Sequence, residues 1–381
     1  MKICAIICEY NPFHNGHLYQ LREAKRLSGA DALLCIMSGN FVQRGEAAIM
    51  DKFTRAKHAI LAGADVVIEL PTIFATSNAE LFAKGAVKIL SAIPSITTLC
   101  FGAETANKAA FYETAKLLNN EPQEISSKIK TLTATGMSYA KARTEAWKDA
   151  LPEALLSSPN NILGVEYTRA ILSFNSNIDI LPIPRVGGGY NEEALYENYS
   201  SASAIRLAIA KKENVRNNIP DFVTKDLPDT LENNLEALEK YALLSATTKK
   251  IASVCDCTEG LENALKKAAE NAEPLVECLT SARYTSSRIR RIALQNLLNI
   301  DETLIRSGLC NPLYLRLLAV KNSAKEVLSA LSESSYPIIA RPRDSLNLKD
   351  TAKEVFSVDT FAEKIHALLY PKVETQIDIF I

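Results

Sequence analysis

The chain has 381 residues, 47% of them hydrophobic and 23% charged, with a formal net charge of −1. That is an ordinary globular composition, long enough for two domains, and it excludes a polyanion-binding protein that works through bulk positive charge. No run of about 18 apolar residues occurs, and "MKICAIICEYNP" lacks a cleavage-type site, so neither a membrane span nor a secretory leader is read and a cytoplasmic protein is expected.

The first 210 residues alternate strand and helix signals. "KICAIICEY" is a continuous apolar run of strand length. "HLYQLREAKRLSG" follows with Leu18, Leu21, Ala24 and Leu27 on one face and Gly29 as its stop. "DALLCIMSG", "DVVIELP", "ITTLCFGAE" and "IDILPIPR" read as further buried strands. "MDKFTRAKHAILAGA" and "NAELFAKGAVKILSA" read as crossover helices. Apolar strands joined by helices of this length predict a doubly wound parallel α/β sheet, whose ligands bind beyond the carboxyl ends of its strands. Residues 107–174 read as mostly helical. Beyond Ser203 almost everything does, including "LIRSGLCNPLYLRLLAV", apart from a short mixed α/β piece at "YPIIARPRD" and "PKVETQIDIFI". The division expected is residues 1–208 as one domain and 209–381 as a mainly helical second.

Cys4, Cys8, Cys35 and Cys100 fall in the apolar runs and read as reduced core thiols, while Cys255 and Cys257 lack zinc spacing. No metal site and no disulfide are expected, hence a reducing compartment. Lys52, Arg55 and Lys57 on the second helix read as a solvated face.

The chemistry concentrates in "ICEYNPFHNGHLYQL", from Ile7 to Leu21. A helix starting near Gly16 leaves its first N–H groups unpaired, which with the dipole makes an anion site. Gly16 lets a phosphate approach the backbone, and His14 and His17 add imidazole donors. A metal reading is weaker, because this pair is three apart and begins in a loop. In "SSASAIR" one serine is explained as an N-cap. The others, with Arg206, suit phosphate. Gln43 and Arg44 in "GNFVQRGE" lie beyond the second strand, where an acceptor substrate would pass. "SARYTSSRIRR" gathers Arg283, Arg288, Arg290 and Arg291 around Tyr284, a pattern that by itself reads first as a solvated helix face and second as a surface for unpaired RNA. Arg341 and Arg343 are possible additions.

H-x-G-H after a first strand is the signature of the nucleotidylyltransferase superfamily. The longer string "EYNPFHNGH" resembles the tRNA(Met) cytidine acetate ligase family. "SGNFVQRGEAAIMDKFTRAKHAILAGADVVIELP", "LCFGAE", "SPNNILGVEYTRAI", "LPIPRVGGGYN" and "YSSASAIR" follow in that family's order. The resemblance implies a Rossmann-like nucleotidylyltransferase sheet followed by the helical domain. It also implies catalytic roles for His14 and His17. For ATP it implies contacts from Ile7, Cys8, Glu9, Tyr10, Asn11, Pro12, Phe13, His14, Asn15, Gly16, His17, Leu18, Tyr19 and Gln20. Gly102, Asn160, Asn161, Arg185, Ser203 and Arg206 would join them, with the choice between the two asparagines left open. It implies ATP with Mg²⁺, acetate, and elongator tRNA(Met) held partly by Arg283, Arg288, Arg290 and Arg291. The reaction would be acetyl-adenylate formation and transfer to N4 of the wobble cytidine. Two rivals share the residues: a cofactor adenylyltransferase using the same H-x-G-H site, and a non-catalytic RNA-binding protein.

Overall fold

A computed structural model describes residues 1–186, 195, 198–281, 283–370 and 379–381. Nine strands are described: β1 (Ile3–Cys8), β2 (Ala32–Ser38), β3 (Phe41–Val42), β4 (Glu46–Ala47), β5 (Val66–Leu70), β6 (Ile96–Ala103), β7 (Asp179–Pro184), β8 (Leu315–Val320) and β9 (Ile338–Ile339). Seven form one sheet in the order β7-β6-β1-β2-β5-β8-β9, while β3 and β4 make a separate antiparallel hairpin. The pairs from β7 to β5 are all parallel.

The continuous apolar strands are explained by a core on each face. Ile3, Ala5 and Ile7 of β1 pack with Leu34 and Ile36 of β2 on one side. Cys4, Ile6 and Cys8 pack with Leu33, Cys35 and Met37 on the other. Alternate residues of a strand point to opposite faces, so a strand covered on both sides has no polar position to spare. The helix Asn15–Ser28 follows the predicted stripe, burying Leu21 and Ala24, and stops at Gly29 in the left-handed region (φ 58°).

The order reverses at β1, which has β2 on one side and β6 on the other. The crevice beyond the ends of β1 and β6 is therefore the topological switch point. His14 follows β1 by a few residues, and Gly102 lies at the end of β6.

Two expectations are corrected. "LYLRLLAV" is not a continuation of a helix. The helix Glu302–Cys310 ends before Pro312, and Leu315–Val320 is a strand, antiparallel to β5. A short continuous apolar run fits a buried strand and a buried helix equally well by periodicity. Second, Lys52 and Arg55 are fully buried. Lys52 Nζ lies 2.6 Å from Glu69 of β5 and 2.7 Å from Glu363 of the helix Asp350–Leu369. Arg316 of β8 reaches Glu363 at 2.7 Å. The Arg55 guanidinium donates to the carbonyls of Glu9, Ser38 and Gly39, tying the ends of β1 and β2 together. Of the mixed piece expected near the C-terminus, β9 is seen, and residues 371–378 of "PKVETQIDIFI" lie outside the described residues.

The helix Ala202–Ala210 runs across position 208/209, and β8 and β9 complete the sheet from beyond it. Residues 243–293 carry a core of their own, with Leu243, Ile251, Leu261, Leu265, Ile289 and Ile292 at its centre. Among the described residues no helix is long and apolar enough to cross a membrane.

Candidate active site

The cleft at the switch point is lined by His14, Gly16, His17, Tyr19, Gln20, Gly102, Arg185, Ser200 and Ser201, among others. Two helices begin at it. The first is Asn15–Ser28, whose N-cap is His14. The second is Ala202–Ala210, whose N-cap Ser201 accepts the Ala204 N–H at 3.1 Å. The dipoles of both helices favour an anion there, but the first N–H groups of Asn15–Ser28 are not left unpaired as expected: the Asn218 carbonyl takes that of Asn15 and His14 that of Gly16.

The histidines act on the helix as well as on the cleft. His14 Nδ1 accepts the Gly16 N–H at 3.1 Å, and His17 Nδ1 accepts the His14 N–H at 3.2 Å. The rings stack with centroids 3.6 Å apart, and Tyr10 packs against His17 at 4.8 Å. A Cβ on Gly16 would stand 2.9 Å from His14 Cε1, so only glycine lets the ring fold over the helix start. Burial, with Arg185 nearby, pulls the His14 imidazole down to about 3. Burial, then His14 and Arg185, holds His17 well below the usual histidine range. Both rings are therefore neutral near pH 7. Because each Nδ1 accepts a backbone N–H, the remaining proton sits on Nε2 in both. The pair presents two neutral N–H donors.

The expected residues divide by position. Gly102 faces Arg185, and a Cβ there would come within 3.3 Å of Arg185 Cγ. Arg185 donates to Asn160 Oδ1 at 3.3 Å. Asn161 is fully buried, and its Oδ1 accepts the N–H groups of Glu104 and Thr105 at 3.0 and 3.1 Å. Asn160 is thus the asparagine beside the cleft, and Asn161 shapes the turn after β6. Asn15 donates to the carbonyls of Asn198 and Asn217 at 3.1 and 2.8 Å, which ties the Ser200 segment to the helix start.

Ser203 and Arg206 stand one turn back from the cleft. Arg206 donates to the Asn11 carbonyl at 2.8 Å and lies 3.4 Å from Glu46. Ser200, Ser201 and Tyr199 are cleft residues that the sequence did not single out individually. The N-cap signal in "SSASAIR" was the available pointer, and it marks Ser201. Gln43 and Arg44 form the turn between β3 and β4, and the Gln43 N–H is taken by Glu9 Oε1 at 2.8 Å.

The arginine cluster is largely paired within the protein. Arg290 lies 3.1 Å from Glu46, and Arg288 donates to the Asp256 carbonyl at 3.0 and 2.8 Å. Arg291 lies 4.0 Å from Asp256, and Arg283, at 3.1 Å from Glu259, has the most exposed side chain of the four. Arg283, Arg288 and Arg291 line a cleft of about 730 Å³ together with Tyr139 and Arg143.

A mostly parallel sheet, the switch-point cleft and the neutral H-x-G-H pair define a nucleotidyl transferase of the H-x-G-H type. A family model described as HIGH nucleotidyl transferase matches residues 1–378. A tRNA(Met) cytidine acetate ligase of Thermoanaerobacter sp. is 38% identical over 97% of this chain and 96% of its own. One from Acetivibrio thermocellus is 35% identical over 97% and 95%. The apo crystal structure of Thermotoga maritima TmcAL superposes with a TM-score of 0.91 at 30% identity, covering 98% of this chain and 96% of that one. The same protein bound with alpha-thio ATP gives 0.88 at 31% identity, covering 100% and 97%. The chain belongs to the tRNA(Met) cytidine acetate ligase family, a family of enzymes.

Proposed function

We propose that this protein uses ATP to activate acetate and transfers the acetyl group to N4 of the wobble cytidine of elongator tRNA(Met). The observation that carries this reading is the cleft itself: two neutral Nε2–H donors, two helix N-termini and Arg185 converge where a triphosphate would lie. Family membership and the alpha-thio ATP bound by the Thermotoga maritima relative support the nucleotide.

In this reading an acetate oxygen attacks the α-phosphorus of ATP, the bond to the bridging oxygen breaks, and pyrophosphate leaves. The cytosine amine then attacks the acetyl carbonyl. AMP leaves and the amine proton passes to solvent. Carboxylate oxygen is a poor leaving group and adenylation removes that obstacle. The protein's work is positioning and stabilising charge on the phosphates. His14, His17, Ser201 and Arg185 do this, with Asn160 holding Arg185. Neutral donors suit the task, since they bind charge developing on phosphate without surrendering a proton. Among the described residues no group of three or more His, Cys, Asp or Glu side chains is placed to hold a metal ion, so Mg²⁺ would enter with the phosphates.

We assign the ATP chemistry to residues 1–208 and a share of tRNA binding to residues 209–381. Acetate-dependent exchange of labelled pyrophosphate into ATP, without tRNA, tests the first half. Exchange is expected with acetate and not with a nucleotide or phosphopantetheine-like acceptor. The reverse preference would favour a cofactor adenylyltransferase.

For the tRNA half, Arg283 is the arginine to change, since its side chain is the most exposed of the four. Arg283→Ala is expected to weaken tRNA binding and lower the salt slope of log K by about one. Pyrophosphate exchange without tRNA should stay at the wild-type rate. An unchanged salt slope would remove Arg283 from the RNA surface.

A further inference from the structure

A second cavity, of about 380 Å³, lies behind the β3–β4 hairpin, against the helices Leu235–Ser245 and Ser286–Leu297. Leu231, Leu235, Leu275, Ile289 and Ala293 give it apolar walls. On one side Glu46 bridges Arg206 at 3.4 Å and Arg290 at 3.1 Å. Elsewhere in its wall stands Glu239. This residue is 5% exposed, and its Oε1 has no hydrogen-bond partner among the described residues. Burial, reinforced by Glu236 and opposed by Arg290, raises its pKa well above the carboxylate range. A buried carboxyl short of donors costs stability, and Glu239 lines the cavity, so a donor held there would relieve that cost.

Asn11 links the wall of this cavity to the nucleotide cleft. The Asn11 carbonyl accepts from Arg206 at 2.8 Å, and its Oδ1 accepts the Ile49 N–H at 2.9 Å. Arg206 and Ile49 both line the second cavity, and His14 of the first follows Asn11 by three residues, a span of at most about 10 Å.

An enzyme that modifies an unpaired loop must hold bases out of their stack. Adenine and cytosine carry an exocyclic amine that a carboxyl oxygen can accept from, and uracil carries none. An apolar slot with such an acceptor in its wall and arginines at one side matches a base and its phosphate. We propose that this cavity binds an unstacked tRNA base bearing an exocyclic amine, with Glu239 accepting the amine N–H and Arg206 and Arg290 lying toward the phosphate. The proposal rests on the tRNA-ligase reading above. The base is either the acceptor cytosine or an amine-bearing neighbour in the same loop, and both present the same group.

The test uses the full-length protein and synthetic anticodon stem–loops of elongator tRNA(Met), with each amine-bearing loop base replaced in turn by uracil. Wild type is expected to lose about tenfold in affinity at one position, in line with the discrimination a base contact gives. Glu239→Leu should bind the unchanged stem–loop about tenfold more weakly and show no further loss at that position. Glu239→Gln, which keeps an acceptor oxygen, should retain the preference. Removing the unpaired oxygen should also raise the melting temperature of Glu239→Leu by about 2–4 °C. The sensitive position says whether the acceptor or its neighbour occupies the cavity. Wild-type affinity in Glu239→Leu, or a lower melting temperature with pyrophosphate exchange falling in parallel, would overturn the proposal. A wild-type protein that binds the stem–loop with this base preference but transfers no acetyl group would sink the ligase reading and leave the cavity assignment standing.

Discussion

Alanine at His14 or at His17 is expected to slow acetate-dependent pyrophosphate exchange by on the order of 10²-fold or more, the loss that follows removal of a donor to developing charge. Each ring is neutral and carries its proton on Nε2, so each loses one N–H donor and no charge. The fold should survive. Losing the His14 cap costs about 0.5–2 kcal/mol, a fraction of a domain's stability. His14→Asn separates the two roles, because asparagine can cap the helix and still offer an N–H. It should restore most of the stability and part of the rate. Near-normal exchange in both alanine variants, with normal melting, would contradict the assignment.

The second large effect is on stability. Lys52→Met is expected to destabilise the protein by about 3–5 kcal/mol, as removing one partner of a buried ion pair does. Glu69 and Glu363 both close on the Lys52 ammonium, and burial already lifts the Glu69 carboxyl above its usual range. Arg316 remains beside both carboxylates, which places the loss toward the lower end. Urea unfolding of wild type and variant measures it. A loss under about 1 kcal/mol would mean the ammonium is no better placed than a surface lysine.

These two sites also mark what can be read in the sequence. The strands β1, β2, β5, β6 and β7 were legible because each is a short, mostly apolar run, and the helix after β1 because its stripe and its stop at Gly29 agree. The H-x-G-H motif placed His14 and His17 at the right edge. The proton on Nε2 was not legible, since it depends on which backbone N–H each Nδ1 accepts. Lys52 looked like a surface residue because its partners lie on β5 and on the last described helix, beyond the reach of any local spacing rule. The carboxylates facing Arg288, Arg290 and Arg291 were hidden for the same reason, so a cluster that read as free positive charge is mostly spoken for. The strand β8 was missed because so short and mostly apolar a run carries no period that separates strand from helix.

The most direct measurement gives purified protein labelled acetate, ATP, Mg²⁺ and elongator tRNA(Met), followed by nucleoside analysis of the tRNA. Label is expected in N4-acetylcytidine, with AMP and pyrophosphate released in step, and none when ATP is withheld. Acetyl-CoA should not replace acetate and ATP, because the sequence offers no second Gly-rich pyrophosphate loop. Acetylation of the tRNA by acetyl-CoA with ATP withheld would contradict the ligase reading and leave a transferase in its place.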